Sequence, residues 1–178
     1  MKSTLIIGGA RSGKSTLAQE IARKNGGPVL FVATAEARDD EMKRRIEAHR
    51  RARPSGWTTI EVTTGVGGRI TREIGQAGTV IIDCITLLLN NVFECLPGAT
   101  DALLEKEAVA EIEGLIECMG RVDAHFIIVT NEVGLGIVPA DRVSRLYRDL
   151  LGRANRMLAE KADEVLLLVA GIPVTIKK

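Results

Sequence analysis

The chain has 178 residues, a length typical of one domain with a single hydrophobic core. Its 24 lysines and arginines nearly balance its 23 aspartates and glutamates, which argues against binding to nucleic acid or an anionic membrane through overall charge. The three cysteines form no CxxC pair, so neither a disulfide framework nor a zinc site is expected, and without a membrane-length apolar run or a signal-peptide pattern we expect a cytoplasmic protein.

Short β-branched segments alternate with longer amphipathic segments, which is the pattern of βα units around a mostly parallel sheet. The predicted strands cover residues 4–7, 29–33, 58–62, 79–83, 126–130 and 165–169. The predicted helices cover residues 14–24, 40–52, 67–75, 101–119 and 141–162. Residues 172–176, beside the turn signals Gly171 and Pro173, predict an antiparallel edge strand because the connection is too short for a crossover. We therefore expect one α/β domain over residues 1–178 with helices flanking a central sheet.

A glycine-rich segment follows the first predicted strand and precedes the first predicted helix. It matches G-x-x-x-x-G-K-[ST], the motif of a phosphate-binding loop (P-loop), whose backbone N–H groups point at phosphate oxygens. Lys14 is expected to reach the β- and γ-phosphates, and Ser15 to ligate Mg²⁺. A turn that only caps a helix is the alternative, which the fixed positions and both flanks disfavour. The motif predicts that ATP or GTP binds at Gly8, Gly9, Ala10, Arg11, Ser12, Gly13, Lys14 and Ser15.

The next predicted helix, 40–52, is strongly basic, with acidic residues at its N-terminal end where the helix dipole favours them. His49 lies four residues after Arg45 and four before Arg53, so the three residues share one helical stripe. Neighbouring cations keep an imidazole neutral, which is the state that a nucleophile at phosphorus needs. A solvated cationic helix with an incidental histidine is the simpler interpretation. Nucleic-acid binding is disfavoured by the near-neutral net charge and by a single nearby aromatic residue, Trp57.

Acidic and polar residues follow two later strands, at the sheet edge where ligands of open α/β sheets bind. Asp83 ends the apolar strand 79–83 and is expected to hold Mg²⁺, with capping of the next helix as the alternative. Asn131 and Glu132 follow the strand 126–130, and a turn role and a functional role are equally supported for both. His125 begins an apolar strand and is predicted to be structural.

A series of arginines on the last predicted helix also leaves two interpretations open. Arg142, Arg145 and Arg148 could contact phosphates or a neighbouring subunit, and an exposed helical face explains their spacing equally well.

Together these segments resemble the bifunctional adenosylcobinamide kinase/adenosylcobinamide-phosphate guanylyltransferase family of cobalamin biosynthesis. The resemblance covers essentially the whole chain. Its most specific parts are the segment around His49 and the Thr-Asn-Glu-Val-Gly block at 130–134, whereas many families share the P-loop. The other matching segments cover residues 8–15, 33–35, 80–84, 136–139 and 148–155. One departure is Arg156, where the family commonly has glutamine, and this weakens any inference that the helix binds the corrinoid.

The resemblance implies two reactions, a RecA-like P-loop fold and a homotrimer. ATP or GTP first phosphorylates adenosylcobinamide, and GTP then donates GMP to the product through a guanylylated histidine, which corresponds to His49. The catalytic residues implied are His49 and Lys14, with Ser15 and Asp83 as Mg²⁺ ligands. Beyond the P-loop, the nucleotide contacts implied are Ala33, Thr34, Ala35, Arg50, Arg51, Ala52, Arg53, Glu61 and Asp83.

Two other functions compete with this interpretation. The chain could be a different small-molecule P-loop kinase, in which His49 and the nearby arginines would only hold substrate phosphate. It could also be a GTP-dependent switch without catalytic function, but the guanine-reading motif N-K-x-D is absent, since no asparagine is followed by lysine.

Overall fold

β-Strands and α-helices alternate along most of the chain. The computed structural model describes residues 2–36, 40–51 and 53–178, and within 40–51 it describes the side chains of Asp40, Lys43, Arg44, Ile46, Glu47, Arg50 and Arg51. The strands are β1 (Lys2–Gly8), β2 (Val29–Ala33), β3 (Thr58–Glu61), β4 (Thr79–Asp83), β5 (His125–Asn131), β6 (Glu164–Val169) and β7 (Ile172–Lys177). The helices are α1 (Lys14–Asn25), α2 (Asp40–Arg51), α3 (Val66–Glu73), α4 (Ile85–Cys95), α5 (Asp101–Arg121) and α6 (Arg142–Lys161).

The seven strands form one sheet in the order β3-β2-β4-β5-β1-β6-β7. All neighbouring strands are parallel except β6 and β7, which confirms the antiparallel edge strand predicted over 172–176. In this register Gly8 of β1 lies opposite Asn131 of β5, and Asp83 of β4 lies opposite Val129 of β5. The carboxyl ends of the six parallel strands therefore meet at one edge, as the α/β prediction requires.

Two apolar layers cover the two faces of the sheet. Successive side chains of a strand point to opposite faces, so adjacent residues of β1, β2 and β4 enter different layers. One layer packs against α3, α4, α5 and α6 and includes Leu5, Leu30, Val80 and Ile82. The other packs against α1 and includes Ile6, Phe31, Ile81, Ala18 and Ala22. Because both faces are covered, the central strands consist mainly of apolar residues.

Helix α4 was not expected from the sequence. Its segment starts immediately after Asp83 and Cys84, and Ile85, Leu88 and Leu89 are completely buried. A mainly apolar run lacks the polar face that identifies a surface helix, so its periodicity does not separate a buried helix from a buried strand. Helix α4 was therefore not predicted, because its burial in the fold removes the amphipathic pattern.

The other boundaries differ from the predicted ones by at most two residues, and those of β2 and β4 agree at both ends. Helix α6 begins at Arg142 because Asp141 is its N-cap, and the Asp141 carboxylate accepts a hydrogen bond from the Ser144 N–H at 2.8 Å. Helix α2 ends at Arg51, and the last residue of the predicted helix, Ala52, lies outside the described residues. None of the described helices combines the length and apolar character that a membrane span needs.

Candidate functional site

A cavity of about 630 Å³ lies at the edge of the sheet where the parallel strands end. The P-loop forms one side, and the ends of β2, β4 and β5 form the floor. Ile46 of α2 and Arg53 also line the cavity. A cavity of this size accommodates one small ligand, and its position at the carboxyl edge is where α/β sheets bind ligands.

The P-loop connects β1 to α1 through unusual backbone angles. Arg11 has φ of 56°, and Gly13, the N-cap of α1, has φ of 93°. A Cβ atom on Gly8 would lie 2.6 Å from the Leu168 carbonyl oxygen, so a side chain at Gly8 would push the loop away from β6. The Lys14 ammonium is mostly buried and donates to the Gly9 carbonyl at 2.6 Å. Lys14 therefore folds back into the loop, within reach of an anion bound there.

Two oxygen donors for a divalent cation face the same cavity. Ser15 lies in the first turn of α1, and Asp83 ends β4, and both side chains are half-buried. The described residues contain no group of three or more histidine, cysteine or acidic side chains that could hold a metal ion alone. This sparse donor set fits Mg²⁺, which usually keeps water ligands and binds through one or two protein oxygens plus substrate phosphates.

Thr34 has a different position from the two alanines on either side of it. Ala33 and Ala35 line the cavity, whereas Thr34 is completely buried. Its hydroxyl donates to the Cys84 carbonyl and accepts from the Cys84 N–H, both at 2.7 Å, and its own N–H donates to the Asp83 carbonyl. Thr34 therefore fastens the end of β2 to the end of β4. It positions Asp83, and the two alanines are the residues of this segment that line the cavity.

Cys84 also lies against the cavity but is not a nucleophile. Burial, together with the negative charge of Asp83, raises the pKa of the Cys84 thiol to about 11. A thiol with this pKa stays protonated at neutral pH, so it supplies no thiolate.

Only some of the nucleotide contacts predicted at the end of α2 and just after it line the cavity. Arg50 forms an ion pair with Glu61 of β3, and Arg51 is largely exposed, 3.7 Å from Glu47 on the same helix. Ile46 lines the cavity directly. Of the four consecutive contacts predicted from 50 to 53, Arg53 lines the cavity, Arg50 lines a neighbouring groove, Arg51 lines neither, and Ala52 lies outside the described residues. The predicted contact Glu61 lines the same groove as Arg50.

Arg53 has an incomplete set of hydrogen bonds. Its guanidinium lies over the Phe31 ring, 3.7 Å from the centroid, and its Nε and Nη1 atoms are shielded from water without a hydrogen-bond partner. Burial lowers the pKa of Arg53, and the charge of Asp83 opposes that effect. Arginine nevertheless stays protonated in proteins. A half-buried cation with unused N–H groups beside a P-loop is suited to an anionic ligand.

A second groove, of about 550 Å³, adjoins the first cavity along the edge strand β3. Arg53 lines both spaces, and Arg50, Trp57, Glu61 and Arg69 line the groove. No sequence motif predicts that Trp57 or Arg69 belongs to a site. These residues line the same groove as Glu61 only because the folded chain brings them together.

The structure distinguishes Asn131 from Glu132. The Glu132 carboxylate accepts a hydrogen bond from the Gly134 N–H, and its own N–H donates to the Gly8 carbonyl at 3.1 Å. Glu132 therefore stabilises the turn after β5. Asn131 lines the cavity beside the P-loop.

The arginine series on α6 makes local contacts. Arg142 pairs with Asp101 of α5, and Arg145 donates to the carbonyls of Pro139 and Ala140 at 2.9 and 2.6 Å. Arg148 pairs with Asp149 at 2.8 Å. These partners lie within the same chain, which favours the structural interpretation of the series.

His125 lies at the opposite edge of the sheet from the cavity, at the start of β5. Its Nε2 is 3.0 Å from the Thr4 hydroxyl, and its Nδ1 is 2.7 Å from the Asn25 amide nitrogen. These contacts confirm the structural role predicted for His125.

The sequence of this chain is similar to known proteins over nearly its whole length. Residues 4–176 match the sequence model of the family described as cobinamide kinase / cobinamide phosphate guanyltransferase. The bifunctional adenosylcobalamin biosynthesis protein CobP of Pseudomonas aeruginosa is 40% identical over 97% of this chain and 96% of its own length. The bifunctional adenosylcobalamin biosynthesis protein CobU of Salmonella typhimurium is 41% identical over 97% of this chain and 98% of its own length.

Solved structures support the fold. A Pyrococcus horikoshii protein superposes with a TM-score of 0.57 at 11% identity and covers 99% of this chain and 86% of its own. The RadB recombinase superposes with a TM-score of 0.51 at 14% identity, and it covers 93% of this chain and 73% of its own. At these identities the likeness is evidence for the fold alone, and it confirms the predicted P-loop α/β architecture.

Proposed function

Because this chain belongs to the cobinamide kinase and cobinamide phosphate guanyltransferase family, we propose that its P-loop cavity is the nucleotide site for both transfer reactions. The protein is a bifunctional transferase of cobalamin biosynthesis. Its kinase reaction uses ATP or GTP to phosphorylate the hydroxyl of the aminopropanol arm of adenosylcobinamide. Its second reaction transfers GMP from GTP to that phosphate, giving adenosylcobinamide-GDP.

The observation that carries this proposal is the composition of one cavity. Lys14, Asp83 and Arg53 line it from three different parts of the chain, and Ile46 brings α2 to the same space. Residue 49 follows Ile46 by three positions, and residues three apart in an α-helix share a face. This spacing supports His49 as the residue of α2 that reacts with the nucleotide.

In the kinase reaction, we assign the triphosphate chain to the P-loop with its terminal phosphate at Lys14. Ser15 and Asp83 would hold Mg²⁺, which neutralises charge between the β- and γ-phosphates. The acceptor hydroxyl oxygen forms a bond to the γ-phosphorus while the bond to the β–γ bridging oxygen breaks and its electrons leave with the diphosphate. The hydroxyl proton passes to solvent. The protein mainly orients the reactants and neutralises charge.

In the guanylyl transfer, a neutral His49 imidazole attacks the α-phosphorus of GTP. A nitrogen–phosphorus bond forms, the bond to the α–β bridging oxygen breaks, and pyrophosphate leaves. A phosphate oxygen of adenosylcobinamide phosphate then attacks the same phosphorus, which releases the imidazole. The unused N–H groups of Arg53 support a role for this residue in neutralising the phosphates during both steps.

We assign the guanosine end of GTP to the groove along β3. Arg53 lines both the groove and the P-loop cavity, so one nucleotide can extend from one space into the other. The Glu61 carboxylate can accept hydrogen bonds from the N1–H and the exocyclic amino group of guanine, and Trp57 offers an aromatic surface for the base. This arrangement explains why Glu61 belongs to the nucleotide contacts although it lies outside the P-loop cavity.

A different small-molecule P-loop kinase is the competing assignment, and labelled GTP separates the two. The protein is incubated with GTP labelled in its guanosine, denatured and washed, and the retained label is tested in acid and in alkali. A guanylyl-histidine predicts a retained GMP that is labile in acid and stable in alkali. A kinase without the transferase step would retain no label.

The remaining assignments concern the corrinoid, assembly and location. We propose adenosylcobinamide and its phosphate as the substrates, a homotrimer as the assembly and the cytoplasm as the location. Ile172, Val174 and Ile176 are exposed on one side of the edge strand β7, and such a surface supports self-association. Light scattering of the purified protein should report the mass of a trimer, and a monomer mass would contradict this assembly.

A further inference from the structure

Asn131 lies between the two parts of the kinase site. It is the last residue of β5, and β5 lies between β1, which leads into the P-loop, and β4, which ends at Asp83. Gly8 is the partner of Asn131 on β1, and Asp83 is paired with Val129 two residues earlier on β5. Adjacent strands are about 4.8 Å apart, so Asn131 lies at the strand end between the P-loop and Asp83.

The backbone of Asn131 is held from both sides. Its N–H donates to the Thr86 hydroxyl at 3.0 Å, and its carbonyl accepts from the Asn155 side-chain amide at 3.0 Å. Thr86 and Asn155 are held in turn, because the Thr86 carbonyl accepts from the Tyr147 hydroxyl and the Asn155 side-chain oxygen accepts from the Thr130 hydroxyl, both at 2.7 Å. These bonds fix the direction in which the peptide presents its side chain.

The side-chain amide of Asn131 is not used for this support. It is half-buried, it lines the P-loop cavity, and it has no hydrogen-bond partner among the described residues. The buried amides of Asn91 and Asn155 differ, since both donate to backbone carbonyls. A polar group held on a rigid backbone beside a phosphate site is placed to bind a ligand.

We propose that the Asn131 side-chain amide donates a hydrogen bond to the γ-phosphoryl group during the kinase reaction, which makes Asn131 a further catalytic residue. This inference rests on the proposed placement of the terminal phosphate at Lys14. As the γ-phosphorus moves from the β–γ bridging oxygen to the acceptor hydroxyl oxygen, negative charge is spread over its three equatorial oxygens. A fixed N–H donor aimed at one of them stabilises that charge.

The same geometry limits Asn131 to one of the two reactions. Helix α2 connects β2 to β3, and β4 separates β2 from β5 in the sheet. The α-phosphorus attacked by His49 is therefore assigned to the side of the cavity away from Asn131. Loss of the Asn131 amide should slow phosphoryl transfer and leave formation of the GMP adduct unchanged.

The test compares Asn131→Ala and Asn131→Asp in full-length enzyme, with ATP as phosphoryl donor and adenosylcobinamide as acceptor. Loss of one such donor is expected to reduce kcat by roughly 100-fold in Asn131→Ala while the KM for adenosylcobinamide changes little. Asn131→Asp should lose more than Asn131→Ala, because a carboxylate repels the phosphate. A purely structural asparagine predicts the opposite order, since aspartate keeps the shape of the side chain.

Asn90→Ala is the matched control, because Asn90 is on α4 with its amide bonded to Glu94 at 2.8 Å, away from the cavity. Its kinase rate should equal that of wild type. The inference is overturned if Asn131→Ala keeps kcat within about threefold of wild type, if Asn131→Asp is the milder variant, or if GMP-adduct formation falls as far as kinase activity. A missing adduct on wild-type enzyme would contradict only the His49 mechanism, because the kinase assay uses ATP.

Discussion

The Arg53 guanidinium stacks on the ring of Phe31, 3.7 Å from its centroid, and keeps two buried nitrogen atoms without hydrogen-bond partners. A cation–π contact of this kind contributes up to about 2 kcal/mol, and each unpaired buried donor costs about 1–3 kcal/mol. The two unpaired nitrogens together cost at least as much as the one contact contributes. Without a ligand, Arg53 therefore adds little to the stability of the protein, as expected of a residue that we propose to bind a phosphate.

Replacement of Arg53 by methionine should separate stability from nucleotide use. Methionine keeps an apolar contact with Phe31 and removes the unpaired donors, so the free energy of unfolding without nucleotide should stay within about 1 kcal/mol of wild type. The rate of GMP-adduct formation should fall at least about 10-fold, since a charged partner of the phosphates is lost. Urea unfolding and adduct formation measure the two effects.

Arg121→Met is the control for this change, because Arg121 is exposed at the C-terminal end of α5 and pairs with Glu117 on the same helix. It should alter neither property. A large loss of stability in Arg53→Met with an unchanged adduct rate would show that Arg53 only supports the fold.

Lys14→Ala should abolish both transfer reactions. Both require the β- and γ-phosphates to be held in the P-loop, so a loss of at least about 100-fold is expected in each. Product formation from adenosylcobinamide with ATP, and from its phosphate with GTP, measures the two rates. Lys24→Ala, at the exposed C-terminal end of α1, is the matched control. Near-normal turnover by Lys14→Ala would remove the P-loop from the mechanism.

Asp83→Asn should change the dependence of turnover on Mg²⁺ more than it changes folding. The amide keeps the shape of the carboxylate but loses its charge, so the Mg²⁺ concentration at half-maximal rate should rise about 10-fold or more. Thermal unfolding should shift only slightly. Glu132→Gln serves as a comparison, because its carboxylate is bonded to Gly134 in the turn and should not affect Mg²⁺ dependence. An unchanged Mg²⁺ response in Asp83→Asn would assign Asp83 to a structural role.

His125 should make the stability of the protein depend on pH. Burial and the charge of Lys2 lower the pKa of His125, although Glu164 and Asp163 oppose the shift. The Asn25 amide donates to Nδ1, which must stay unprotonated, and Nε2–H then donates to the Thr4 hydroxyl. The unfolded chain binds this proton more readily than the native one. The free energy of unfolding should therefore be highest above about pH 6.5 and fall as the pH decreases below it.

His125→Gln tests this dependence by urea unfolding at several pH values. One titrating group contributes at most about 1.4 kcal/mol per pH unit to the slope of the unfolding free energy against pH. His125→Gln should lose this contribution. His49→Ala should keep it, which controls for the only other histidine in the chain. An unaltered slope in His125→Gln would place the titrating group elsewhere.

The fold was largely predictable because each buried strand has a local sequence pattern. Apolar runs identified six parallel strands, and a short connection identified β7. Helix α4 was missed because burial on most sides removes the amphipathic pattern. The P-loop and Asp83 were predictable for a related reason, since backbone geometry and strand position fix them locally.

Other parts of the site depend on contacts between distant segments. Thr34 was grouped with its neighbours, but the fold directs its hydroxyl to the Cys84 backbone. The unpaired nitrogen atoms of Arg53 and the groove around Trp57 exist only once β2 and β3 are packed together. Neither feature has a local signature. The helical spacing predicts that Arg53 shares a stripe with His49, but it does not predict the stacking on Phe31 or the unpaired nitrogen atoms.

The central claim is that His49 carries GMP between GTP and the corrinoid. Arginine side chains stay protonated and cannot attack phosphorus, so His49→Ala removes the nucleophile that α2 is proposed to supply. Phosphorylation of adenosylcobinamide needs only the P-loop, the metal donors and a positioned hydroxyl, and it should largely survive.

The most direct measurement is mass spectrometry of wild type and His49→Ala after incubation with GTP, beside an assay of both corrinoid products. We predict one GMP adduct on wild type, none on His49→Ala, and loss of adenosylcobinamide-GDP formation with the kinase product retained. A GMP adduct that persists on His49→Ala, or normal guanylyl transfer by wild type without any adduct, would contradict the covalent mechanism.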